Sequence, residues 1–310
     1  MKVFLTGNRG GIGSVVERQL REGGHQVVGF DIATGDDILD AEAVGRAMVD
    51  CDGVAHLAML MGREHPRDQV FASGTVGTWN VLDAAEKNGV KRVVSYSSVN
   101  AMGLFMGESE PDYLPFAEEH VCRPGRPYGT SKYVGEQVCR LFTERTGIAT
   151  VCIRPPAVLS DERIAAMRQA HAERAEAAWT PYWEYGSYIH VEDLARATVC
   201  ALTCPDPGHE VLLVVAEDIS SRAMSSREWA EHVLPHVPWR GGAEYDADPY
   251  RALVDGGRAQ RVLGWKTQYR WDDQAVSPAS ASASLSAFPR RGFISGPQGS
   301  TRLRRLPNAR

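Results

Sequence analysis

The sequence predicts an α/β fold, a doubly wound and mostly parallel sheet followed by a smaller C-terminal lobe. Two observations predict it. Short apolar runs are continuous instead of alternating, which marks strands buried on both faces, and helical patterns lie between them. A glycine-rich turn, TGNRGGIG, joins the first strand pattern to the first helix pattern.

Taken in order, strands are expected at 3–6, 27–31, 53–57, 92–96 and 149–154, and helices at 14–22, 41–50, 76–88 and 132–146. This alternation covers residues 1–155, the expected dinucleotide-binding unit. From 156 to 276 the pattern is less regular. A charged helix over 161–178 precedes the aromatic run WTPYWEYGSYIH, then come a helix over 192–204, a strand over 210–216, a helix around 226–234 and a closing LGW. This region is expected to form a small substrate-binding lobe over one end of the sheet, with some return to the sheet itself. Residues 277–310 contain SPASASASLSAF, then arginines and no acidic residue, a composition expected to be disordered.

Bulk properties exclude several classes. A hydrophobic content of 43%, a charged content of 24% and a net charge of −5 fit a soluble globular chain and suggest neither nucleic acid nor an anionic membrane as partner. No apolar run approaches the ~20 residues that span a bilayer. MKVFLTG enters a strand pattern at once, leaving no room for a signal peptide. The six cysteines form no CxxC pair and read as reduced thiols of a cytoplasmic protein. No metal site is expected, and the hydrolase elbow GxSxG is absent.

Within the first turn, Gly7 permits the tight bend, Gly10 lets backbone approach a pyrophosphate, and Gly13 allows close packing of helix on strand. The helix N-terminus offers free N–H groups and partial positive charge to the same group. Asp31 ends the second strand in VVGFD, where a carboxylate accepts hydrogen bonds from the adenosine ribose and repels a 2′-phosphate. NAD is therefore expected over NADP.

With these motifs the chain resembles the extended short-chain dehydrogenase/reductase family, the NAD-dependent epimerase/dehydratase group, over roughly residues 1–272. The resemblance rests on TGNRGGIG, Asp31, the turn at Asp37–Asp40, CDGVAHLA, SYSS, YGTSK, IRP, IHVEDLA and LGW, in this order. It implies that Tyr128 is the general acid/base, that Lys132 is its partner and a ligand of the nicotinamide ribose, and that Ser98 hydrogen-bonds the reacting oxygen. It further implies a cofactor set of Gly7, Arg9, Gly10, Gly11, Ile12 and Gly13 at the loop. Asp31 joins them at the ribose, Asp37 and Ile38 at the adenine, and Leu57, Ala58 and Met59 along the dinucleotide, with Tyr128, Lys132 and Pro155 completing the set. Relatives pair through helices like 76–88 and 132–146, so a homodimer is expected by analogy.

The chemistry of the residues agrees. A tyrosine titrates near pH 10, too high for a neutral-pH base, and a lysine one helical turn away favours the phenolate. Tyr128 can then take an alcohol proton as hydride leaves the carbon.

Departures from the family's patterns narrow the reaction. Dehydratases carry an acidic pair just after the active-site hydroxyl residue and decarboxylases a glutamate, whereas Val99 and Asn100 stand here. RPPAVLSD lacks the asparagine and Gly–Pro usual in nucleotide-sugar epimerases, and the stretch from Arg154 to His190 is short for a lobe holding a nucleotide. Gly74 replaces the usual asparagine of NxxGT. The compact lobe is more similar to the uronate dehydrogenase branch. Candidate substrate contacts are Asn100, Arg63, Arg163 and Arg168, arginine being suited to a carboxylate. Trp179, Tyr182, Trp183 and Tyr185 suit either a sugar face or the lobe core. His56 is expected to be structural, and His190, Glu192 and Asp193 to pack and cap a helix.

The reading is an NAD-dependent oxidoreductase acting on a secondary hydroxyl or ketone of a small polar substrate, a sugar or sugar acid. The alternatives are a nucleotide-sugar 4-epimerase with bound NAD and a non-catalytic dinucleotide sensor.

Overall fold

The computed structural model describes residues 1–61, 65–173 and 184–272. Its centre is a six-stranded parallel sheet in the order β2-β1-β3-β4-β5-β8. The strands are β1 (Lys2–Thr6), β2 (Gln26–Phe30), β3 (Gly53–His56), β4 (Arg92–Tyr96), β5 (Ala149–Arg154) and β8 (His209–Leu213). A short parallel pair, β6 (Ala157–Leu159) and β7 (Tyr188–His190), lies beyond β5 in the chain.

Both faces of the sheet are covered, which accounts for the continuous apolar runs. Val3, Leu5, Val94, Val151 and Ile153 share one core with α1 (Gly11–Glu22), α6 (Val191–Thr203) and α9 (Gly257–Leu263). Their chain neighbours Phe4, Val54, Val93 and Cys152 point the other way, toward α2 (Ala41–Ala47), α3 (Arg67–Lys87) and α4 (Pro127–Thr146). Alternation along each strand thus feeds two layers at once.

Beyond β5, α5 (Asp161–Glu173) leads to residues outside the described set, and the chain then returns to the sheet through α6 and β8. A third core joins Leu104, Phe105, Phe116, Trp229 and Tyr245, under α7 (Ser226–Val233) and α8 (Glu244–Ala247). Tyr185 belongs to this core. Its ring meets Phe105 and Phe116 edge-on, and its hydroxyl donates to Leu104 O at 2.7 Å. Of the two roles open to it, packing is the one it takes. Trp179, Tyr182, Trp183 and the basic tail lie outside the described residues.

Several bounds differ from the sequence pattern. α3 begins at Arg67, well before the expected 76, and α4 at Pro127 instead of 132. The stretches gained contain Gly74 in α3 and Gly129 in α4, and glycine masks helical periodicity. In α3 a Cβ on Gly74 would lie 2.6 Å from Ser131 Oγ, and one on Gly77 would lie 2.6 Å from Ile38 Cδ1. These glycines serve close packing on α4 and on the 37–40 turn. α2 stops at Ala47, and β8 ends at Leu213.

IHVEDLA performs the packing and capping expected of it. His190 Nδ1 accepts from Glu192 N at 3.2 Å, and buried Asp193 accepts from the amides of Gln268 and Tyr269. That contact brings the closing LGWKTQY segment back against α6.

Candidate active site

The C-terminal ends of β1, β3, β4 and β5 present the residues singled out in the sequence. At β1 the loop turns through Gly7, whose φ is +74°. A Cβ there would come within 2.9 Å of Ala58 N, so the bend and the Leu57–Ala58 backbone require glycine together. At Gly13 a Cβ would fall 2.0 Å from Gly7 O. Gly11 has nothing within 4 Å of that position, leaving room beside the exposed loop of Arg9, Gly10 and Gly11.

Asp31 closes the loop from the side. One carboxylate oxygen accepts from Arg9 N at 2.9 Å, and the other accepts from Ala33 N at 2.9 Å. Each retains a lone pair for a ribose hydroxyl. Exposed Asp37 accepts from Leu39 N through its side chain, while Ile38 is buried under Gly77. Asn80, which the sequence did not single out, holds this turn by donating to Ile38 O at 3.0 Å. Met59 packs at the same α3–α4 seam as Gly74.

Thr6 links the loop to β3. Its hydroxyl oxygen accepts from Leu57 N and Ala58 N, each at 3.1 Å, and lies 2.8 Å from His56 Nδ1. With two amides already donating to it, the Thr6 proton goes to His56 Nδ1. The imidazole proton then sits on Nε2, facing Thr78 Oγ1 at 3.3 Å, and Thr78 in turn donates to Gly74 O at 2.9 Å. Burial, reinforced by the Lys132 charge, lowers the His56 pKa to about 3. The residue is a neutral strut, as expected.

Ser98, Tyr128 and Lys132 come together. Ser98 follows β4 and caps a 3₁₀ turn, its Oγ accepting from Asn100 N at 3.2 Å. The neighbouring Val99 N donates to Pro155 O at 3.2 Å, which ties the β4 and β5 ends together. The Ser98 side chain faces the Tyr128 phenol. Burial raises the Tyr128 pKa, and the Ser98 hydroxyl partly offsets it. Lys132 lies one turn along α4, with Nζ 5.9 Å from the centre of the Tyr128 ring, and donates to Tyr96 O at 2.5 Å. The help to the phenolate expected from spacing alone is therefore indirect, because the ammonium is held by a main-chain oxygen. Burial lowers the Lys132 pKa to about 8.

Beneath this group lies a charged pair that sequence reasoning missed. Glu136 accepts from Arg154 Nε at 2.7 Å and Nη2 at 2.6 Å, and Ser97 Oγ donates to it at 2.5 Å. The usable signal was the spacing Tyr128, Lys132, Glu136, which puts all three on one face of a helix.

The proposed substrate residues do not converge in the same way. Asn100 adjoins Ser98, and its buried Oδ1 has no hydrogen-bond partner among the described residues. Arg163 is exposed on α5, and Arg168 lies 5.4 Å over the Trp271 ring. Arg63 falls outside the described residues.

Residues 3–215 match the model of the NAD dependent epimerase/dehydratase family. The chain belongs to that family. It is an enzyme of the extended short-chain dehydrogenase/reductase type, and its cofactor is NAD. Among its relatives, a uronate dehydrogenase of Pseudomonas syringae is 28% identical over 70% of this chain and 75% of its own. A UDP-glucose 4-epimerase of Streptomyces lividans is also 28% identical, over 90% and 94%. A solved short-chain dehydrogenase/reductase superfamily protein from Agrobacterium tumefaciens with bound NAD shares the fold. Its TM-score is 0.65 at 23% identity, over 88% of this chain and 94% of that one.

The loop fits the family's cofactor. Gly13 lets the helix start pack directly on the Gly7 backbone, Gly11 leaves its outer side open, and a twelve-residue helix begins there. Gly74 departs from the family's usual asparagine, and the space for that side chain is taken by Ser131 and Met59.

Proposed function

We propose that the chain is an NAD-dependent oxidoreductase acting at a secondary hydroxyl or ketone of a small polar substrate, of the sugar or sugar-acid class. The observation that carries this reading is the placing of Tyr128 and Lys132 one turn apart on α4, with the Lys132 ammonium held by Tyr96 O on the strand that leads to Ser98. Ser98 orients the substrate oxygen, and Tyr128 exchanges a proton with it. Lys132 supplies positive charge to the developing phenolate. Bound NAD supplies the hydride acceptor or donor. The residues that would hold it are Gly7, Arg9, Gly10, Gly11, Ile12 and Gly13, with Asp31, Asp37, Ile38, Leu57, Ala58, Met59, Lys132 and Pro155.

Absorbance of NADH tests the reading across sugar acids, free sugars, simple alcohols and nucleotide sugars. Net reduction of NAD⁺ by one compact class is expected, and Tyr128→Phe should lower the rate constant about 10²–10⁴-fold. If Tyr128→Phe retains full activity, the reading fails. A second reading, a nucleotide-sugar 4-epimerase, is favoured by relatives of that name that cover nearly the whole chain. Interconversion of UDP-sugars without net NADH would select it.

We also propose a homodimer through α3 and α4, whose outer faces expose Phe71, Val76, Trp79 and Leu141. Light scattering should give twice the chain mass, and a Trp79→Glu/Leu141→Glu variant should give a monomer. No helix of the described residues is long and apolar enough to cross a membrane, and all six cysteines are unpaired. A cytoplasmic location fits these features.

A further inference from the structure

The helix that carries Tyr128 and Lys132 bears another ionisable residue on the same face, and the proton transfer above does not use it. Glu136 is 1% exposed and its partner Arg154 4%. Their two hydrogen bonds form a planar, bidentate contact. Ser97, the residue before Ser98, donates to the same carboxylate, and its own amide donates to Ile153 O at 2.7 Å. Arg154 Nη2 also reaches Cys122 Sγ at 3.3 Å, on the loop ahead of α4, while Nη1 has no partner among the described residues.

Buried pairs of this kind add little stability over apolar packing of equal volume, whereas removal of one partner is costly. Stability alone is therefore a poor account of its place here. The pair joins the ends of β4 and β5 to α4, the elements that carry Ser98, Pro155, Tyr128 and Lys132.

We propose that Glu136 is a positioning residue. Clamped by Arg154 and Ser97, it holds the catalytic helix in register with Ser98 and places a negative charge one helical turn from Lys132.

The groups facing Lys132 bear this out. From β3 comes His56, which is neutral, and from β5 comes Cys152. The contact with Cys139 and burial push the Cys152 thiol up, so it stays protonated. On α4 itself stand Tyr128, Cys139 and Glu136, and Cys122 adjoins Arg154 from the preceding loop. Burial pushes the Cys122 thiol up as well. Of the buried pair, Glu136 stands one helical turn from Lys132, and its charge opposes the desolvation of that lysine.

The inference rests on the Ser98–Tyr128–Lys132 reading, and its test separates the two. Competitive acylation of the lysines across pH, read by mass spectrometry, gives the Lys132 midpoint without any substrate. In Glu136→Gln that midpoint should fall by about one pH unit, which at pH 8 is a roughly tenfold lower ratio of ammonium to amine. The upper limb of the kcat/KM profile should move down with it. A Glu136→Gln/Arg154→Gln double variant leaves no buried charge unpaired, guards against misfolding, and should show a smaller displacement in the same direction, because the Arg154 charge is removed as well. An unchanged lysine midpoint in folded variants that still bind NAD overturns the proposal and leaves the site reading standing. Full activity in Tyr128→Phe overturns the site reading, and with it the link from lysine charge to catalysis.

Discussion

Lys132 gives its ammonium to the carbonyl oxygen of Tyr96, 2.5 Å away at the end of β4. Helix α4 is thus fastened to the strand that leads to Ser98, and the charge sits where burial opposes it. Burial depresses the Lys132 pKa from its ordinary 10.5 to about 8. Between those values the unfolded chain holds a proton that the folded chain lacks, so this residue makes stability rise with pH across that window. Below about 8 the burial penalty is fully felt. Lys132→Met should therefore raise the melting temperature at pH 7 while abolishing activity, and it should flatten the pH dependence between 8 and 10.5. Calorimetry of both proteins at several pH values checks this.

His56 titrates in the opposite region. Its pKa falls from the ordinary 6.5 to about 3, so the unfolded chain takes up a proton that the folded chain refuses. The stability it contributes is present above pH 6.5 and is lost as pH falls toward 3, by up to about 1 kcal/mol per pH unit. His56→Gln should show a shallower acid limb in chemical unfolding series.

Gly13 should tolerate no side chain. A Cβ 2.0 Å from Gly7 O overlaps a backbone atom that cannot rotate away. Gly13→Ala is expected to cost about 1–3 kcal/mol as an overpacked site and to weaken NAD binding at least tenfold. Gly45→Ala, on α2 with nothing within 4 Å, should instead be neutral or gain up to about 1 kcal/mol. Calorimetry and NAD titration of the two variants make the contrast.

Restoring the family's asparagine at position 74 should be harmful here. The new Cβ would lie 2.9 Å from Ser131 Cβ, so Gly74→Asn should destabilise by about 1–3 kcal/mol. Ser131→Gly in the same chain should recover much of the loss. Urea unfolding of the single and double variants reports the coupling.

The strands and the glycine loop were legible because their causes are local. A strand buried on both faces must be apolar throughout, Gly7 answers to its own positive φ, and Gly13 answers to the backbone of Gly7 six residues away. The N-terminal parts of α3 and α4 were obscured by Gly74, Gly129 and Pro127, which look like loop, while the two glycines answer to Ser131 and Asn100 elsewhere in the chain. Ser98, Tyr128 and Lys132 could be assigned by spacing and resemblance. Glu136 could not, because a buried carboxylate makes sense only beside Arg154, and that contact exists only once β5 lies under α4. Lys132 shows the same limit. Its spacing from Tyr128 was plain, but its attachment to Tyr96 O depends on the packing of a helix on a strand.

The carboxylate of Asp31 bonds the amides of Arg9 and Ala33 while standing where it would meet a ribose. The side chain proposed to meet the ribose therefore also shapes the loop. An engineer wanting the phosphorylated dinucleotide cannot simply delete the charge, since the loop would lose its lateral brace with it. A successful redesign has to provide a new acceptor for the Arg9 amide before inviting a phosphate to the place Asp31 guards.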